Sequence, residues 1–273
     1  MKPLLFALIA FLAGLLSSCS SGPAPPAKGT PAFYWSAAKE SFNAGDYTRT
    51  VDNLSKLTSS ENEFRKHAQP WRLILLAGLV KGNADLADQY ETGARANKAN
   101  PAPFRMQTST LRSEAGRQAM EFVESFMAFQ KANPSGDVEI VFPYPPVGTA
   151  KAPPAKIAGG ILPSQSEADS LRTMGAQRAV LLAVCDALGN GDDPAKAQEA
   201  MAKTPLTVPR ATFLLAMSEF LNDQADLFGK RKLDVPDREK IFRAKALEAL
   251  QGLPDSKELK ELRKKIEGAT KKS

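Results

Sequence analysis

Histidine and cysteine are almost missing from this chain: His67 is the only histidine, and Cys19 and Cys185 are the only cysteines. A structural zinc draws on several such ligands at once, so that class is excluded. A Ser-His-Asp triad would have to use His67, which sits in the polar stretch Arg65-Lys66-His67, and no nucleophile-elbow glycines occur anywhere. No glycine-rich phosphate-binding pattern occurs either. The search yields no catalytic, cofactor-binding or metal-ligating residue, and the expected class is a non-enzyme without a cofactor.

A full-length membrane span is also lacking at the N-terminus. Met1-Lys2-Pro3 precedes an apolar run from Leu4 to Leu16, roughly 13 residues against the 20 or so that cross a bilayer. One positive charge and a short apolar run read as a secretory signal. The run ends Leu16-Ser17-Ser18-Cys19, which resembles the lipobox of bacterial lipoproteins. The resemblance implies lipid on the Cys19 thiol and cleavage between Ser18 and Cys19. One acyl chain binds a membrane only marginally, whereas two or three hold it firmly. Ser20, in place of the aspartate that favours inner-membrane retention in that family, points to the outer membrane and its periplasmic side in a didermal source. Residues 1–18 are thus the expected signal peptide. Residues 19–30, rich in Pro, Ala, Ser and Gly, are a tether that cannot build a core. With Cys19 lipidated, Cys185 is left alone, which excludes an intramolecular disulfide. It lies in the apolar run Ala179–Leu188 and reads as a buried, inert thiol.

Hydrophobic residues make up 43% and charged residues 24% of the chain, an ordinary globular balance. The net charge of +6 gathers towards the C-terminus, where Lys and Arg alternate with Asp and Glu. Interspersed signs describe a solvated helix face first and an anionic-lipid or acidic-partner surface second. Nucleic acid is not expected as a partner in an exported protein.

The rest reads as helix. Thr30-Pro31 is an N-cap with proline at the first helical position. Phe33–Ala44 follows, Gly45 stops it, and Asp46 caps Tyr47–Leu57. Ser60 opens the next segment, and Pro70 kinks it or starts a helix at Trp71. Gly82-Asn83 ends that helix, and Ala84–Ala96 is its partner. Gly45 and Gly82 stand 37 residues apart, with Tyr34 and Trp71 each 11 before and Thr50 and Ala87 each five after. On these positions the region 31–136 resembles the tetratricopeptide repeat, although its period exceeds the family's 34 and Thr50 and Ala84 depart from the pattern. A long helix from Phe104 to Asn133 carries Met120, Phe122, Val123, Phe126, Met127 and Phe129 as a core face.

Residues 137–163 break the helical pattern. Asp137–Phe142 alternates like a strand, and prolines and glycines follow. The segment is read as a linker or a binding loop between two helical halves. The second half, 164–273, begins near Ser166 and runs to Leu188. Asp193-Pro194 caps a short helix. Others start near Pro209 and at Val235-Pro236, and Asp255 caps the last. The expected fold is all-α: stacked helical hairpins, a tetratricopeptide-like solenoid, interrupted by one long Pro/Gly-rich segment with a short strand.

Two local patterns bear on chemistry. Asp186–Asp193 would need oxygen ligands where Leu188 and Ala197 stand, so it is a helix end and not a calcium loop. Glu124-Ser125 resembles the Glu-Ser pair of lytic transglycosylases, but that family's further motifs are missing. The leading functional expectation is a lipid-anchored interaction scaffold with a protein or peptide partner. The second is a binder of a small molecule or cell-wall fragment using the 137–163 loop. The third is a hydrolase or lyase built on two juxtaposed carboxylates.

Overall fold

Local chemistry starts most of the helices where the sequence places them. In the computed structural model, which describes residues 25–145, 156–203 and 205–271, the Thr30 hydroxyl accepts the Phe33 N–H at 3.2 Å and opens α1 (Pro31–Asn43). Gly45 turns the chain at φ +73°. Asp46 then accepts the Arg49 N–H at 3.1 Å and starts α2 (Tyr47–Thr58). This hairpin closes on Phe42 and Tyr47, whose ring centroids are 5.5 Å apart.

The next helix corrects the expected turn at Gly82-Asn83. α3 runs unbroken from Arg65 to Ala96, through both Pro70 and Gly82. Ser60 does not open it either, since helix begins only at Arg65. The physical reason for Gly82 is packing. Gly78 and Gly82 lie one turn apart and face α5 (Gln165–Ala187). A Cβ on Gly78 would meet the Val180 Cα at 2.5 Å, and one on Gly82 would meet the Ala176 Cα at 3.0 Å. The glycines allow two helix backbones to touch rather than ending a helix. Asn83 is spoken for as well: its Nδ2 donates to Gln118 Oε1 at 2.9 Å, buried against α4 (Ala102–Ala132). The long α3 is therefore central, with α4 on one side and α5 on another.

The expected strand forms over Val138–Ile140 as β1 and pairs antiparallel with β2 (Leu206–Val208), with Val138 opposite Val208. At three residues, β2 is too short to show a strand pattern of its own in the sequence. Between β1 and β2 come α5 and α6 (Pro194–Met201), and after β2 come α7 (Arg210–Ala225), α8 (Pro236–Ala249) and α9 (Lys257–Thr270). Nine helices and this two-stranded ladder make up the regular structure of the described residues, apart from a single 3-10 turn at Asp226–Phe228. The chain is all-α, a stack of helical hairpins.

α5 starts at Gln165, one residue before the expected Ser166. Ser164 is its cap, with Glu167 returning a bond to the Ser164 N–H in a full capping box. Asp193 caps α6 as expected, but Ser256, not Asp255, caps α9. At the far end, Arg243 is only 4% exposed and binds Asp226 and Glu239 at 2.6 Å each and the Ala269 carbonyl at 3.2 Å. It ties α7, α8 and α9 together at one point.

One hydrophobic core runs from Ala38 in α1 to Ile266 in α9. The Met/Phe face of α4 contributes Phe122, Phe126 and Phe129 to it. The described ends of the 137–163 segment are packed parts of the fold. Phe142 is fully buried against Trp71, with ring centroids 4.9 Å apart, and Ile157 fills a smaller cluster with Tyr90 and Phe104. Residues 146–155 lie outside the described residues.

Candidate functional site

Beside the close contact that Gly78 and Gly82 allow, α3 and α5 line a groove of about 510 Å³. Its α5 wall carries Leu171, Met174 and Leu182, all half-buried, with Arg178 exposed at its edge. Its α3 wall carries Lys81 and Asp85, paired at 3.2 Å, and the buried Leu86. Leu171, Met174, Arg178 and Leu182 recur at helical spacing, so one stripe of α5 faces the groove. Apolar side chains along the wall with charges at the edge suit an amphipathic helix laid alongside.

A second cleft of about 560 Å³ opens between the end of α5, α7 and the start of α9. Leu215, Leu253 and Leu262 line it together with Asp186 and Glu219. Burial, then the negative charge of Glu219, Asp192 and Asp223, pushes the Asp186 carboxyl up to about 6. Lys265 offsets part of this charge by donating to Glu219 at 2.9 Å and Asp223 at 3.2 Å. The sequence offered Asp186–Asp193 only as a helix end, and α5 does end there, at Ala187. What the sequence did not signal is that α7, more than 30 residues on, brings Glu219 to the same cleft.

The other sequence candidates take structural positions. Ser18 and Cys19 lie outside the described residues. Cys185 is fully buried and unbridged, and burial together with Asp186 pushes its thiol up to about 11. At ordinary pH it is a thiol rather than a nucleophilic thiolate. His67 is half-buried, with Nδ1 3.9 Å from a Glu139 carboxylate oxygen and its ring 6.5 Å from Trp35. No serine hydroxyl accompanies it there among the hydrogen bonds and ion pairs of the described residues. Ser125 receives a hydrogen bond from Arg72 at 2.7 Å, and Arg72 also pairs with Glu121 at 2.5 Å. Glu124 points to solvent from another face of α4, so the Glu-Ser pair forms no site.

Among the described residues, no helix is long and apolar enough to cross a membrane, and no group of three His, Cys, Asp or Glu side chains is placed to hold a metal ion. Compared with family models, curated proteins and solved structures, the chain finds no significant match in any of the three.

Proposed function

We propose that this chain is a lipid-anchored protein of a bacterial cell envelope that holds a protein or peptide partner in the groove between α3 and α5. The groove carries the reading: a half-buried apolar stripe on α5, charges at its edge, and Leu86 of α3 on the facing wall. The Leu16-Ser17-Ser18-Cys19 succession supports the anchor and, with Ser20, an outer-membrane position in a didermal source. A tether between lipid and first helix suits a molecule that is placed in order to hold something. The carboxylate reading retains one supporting observation, the Asp186 carboxyl in a cleft shared with Glu219.

Two measurements test the proposal separately. Mass spectrometry of the mature N-terminus should show diacylglycerol on Cys19, and Cys19→Ser should move the protein from the membrane to the soluble fraction. An unlipidated wild type overturns the anchor. A photo-crosslinking residue at Met174 should then give one discrete adduct in intact cells, and the same residue at Glu124, on the exposed face of α4, should not. Equal labelling from both positions overturns the groove as the partner site.

A further inference from the structure

The C-terminal end of α3 carries a third cleft that neither the sequence motifs nor the proposed partner groove accounts for. It measures about 480 Å³ and lies between α3, α4 and the turn before α8. Arg95, Arg105, Arg112 and Lys232 line it, and Glu91 is the only carboxylate among the lining residues. Arg112 forms the floor. It is 8% exposed, and its Nη2 donates to Glu91 at 2.5 Å and to Asp88 at 3.1 Å. Lys232 reaches the same Asp88 at 3.3 Å, and Arg95 pairs with Glu91 at 2.9 Å. Two carboxylates are thus shared among three cations, and the Arg112 Nη1 has only a long 3.5 Å contact with the Arg231 carbonyl. Arg105 is exposed at the rim and, among the described residues, meets no carboxylate. Four cations against two carboxylates leave the cleft with a surplus of two positive charges.

Fixed guanidinium groups in a concave site match the oxygens of carboxylates and phosphates. The volume of this open cleft falls in the range of small-molecule sites, roughly 300–1,000 Å³. A long polyanion would call for a basic stripe along a surface rather than a single cleft where three segments meet. We propose that this cleft binds a small soluble dianion, a phosphate group or a dicarboxylate, with Arg112 at its floor and Arg105 and Lys232 closing on it.

Its place in the molecule fits a soluble ligand. The tether-bearing end of α1 sits beside the start of α3, where Trp35 stacks on Phe64 at 5.2 Å. The cleft is at the other end of the same helix, 28 residues on from His67, about 42 Å at 1.5 Å per residue. The cleft thus stands at the end of α3 away from the helix that carries the tether.

The test is calorimetric titration of the folded protein with inorganic phosphate and, separately, with succinate, at fixed ionic strength with chloride as the background anion. Saturable binding of either probe is expected, and the probe that binds names the chemistry. Arg105→Gln removes one charge-assisted contact without touching an ion pair, and should weaken binding roughly tenfold. Arg105→Lys, which keeps the charge, should retain most of it. Thermal unfolding gives a second reading: at equal concentration, the probe that binds should raise the midpoint of the wild type more than that of Arg105→Gln. No saturable binding of either probe up to about 10 mM, far weaker than an ordered anion site, overturns the proposal. Equal shifts in wild type and Arg105→Gln do the same by revealing a general ion effect.

Discussion

Asp186 is a carboxyl at odds with its surroundings. It has one foot in the core, next to the fully buried Cys185, and it faces a cleft that gathers further carboxylates. Its carboxyl is raised to about 6 when folded, against 3.8 for the free group. Between those two values the folded chain binds more protons than the unfolded one, so stability falls as pH rises through that window. Above about pH 6 the charged form is a standing cost, which is relieved below about pH 4, where both states are protonated. A shift of two units corresponds to nearly 3 kcal/mol in full, and solvent screening of this partly exposed group brings it to about 1 kcal/mol. Asp186→Asn should therefore be more stable than wild type at pH 7.5 by about that amount, with the advantage gone by pH 4. Denaturant unfolding of both proteins at the two pH values measures it. A constant difference across pH would mean that charge is not what the substitution removes.

The element that decides the architecture is α3, and its two central glycines show how a local signal can carry a non-local meaning. Gly82-Asn83 has the composition of a helix end, and nothing within ten residues distinguishes a stop from a contact. The contact is made by α5, roughly a hundred residues later in the sequence, where Ala176 and Val180 meet the glycine face. Local signals were legible where their partner is also local. Thr30, Asp46 and Asp193 cap the helices that follow them, and Gly45 turns the first hairpin. What was not legible depended on distant partners: β2 is recognisable as a strand only beside β1, and the Arg112 cleft draws its residues from three separate segments. Gly78→Ala gains up to about 1 kcal/mol of helix propensity, but its Cβ would overlap the Val180 backbone, and overpacking of that kind costs about 1–3 kcal/mol. The net effect should be destabilising. Gly268→Ala, where a Cβ in α9 meets nothing within 4 Å, keeps the gain and should stabilise. Opposite signs for the two variants in thermal unfolding are the expected result. If both stabilise, the α3–α5 contact is looser than its geometry implies.

At the scale of the whole molecule, the question raised by the Pro/Gly-rich segment is whether the helices on either side of it act as one body. The packing joins them at three levels. α3 from the first half lies directly on α5 from the second, β1 pairs with β2, and Phe129 of α4 meets Phe213 of α7 with ring centroids 5.3 Å apart. The end of α4 is also held from the far side, since Arg210 donates to the Asn133 carbonyl from Nε at 3.1 Å and from Nη2 at 3.0 Å. Removing either half would uncover the face of α3 or α5 on which the other helix packs and expose apolar area that neither half can bury alone. Unfolding should therefore be a single cooperative step. The two tryptophans offer a direct check, because Trp35 and Trp71 both stand in the first half whereas far-ultraviolet circular dichroism reports helix from both. Coincident denaturation curves from fluorescence and dichroism are expected. A dichroism curve that splits, with fluorescence following only one of its steps, would make the halves independent bodies and would leave the α3–α5 groove a hinge between them rather than a fixed surface for a partner.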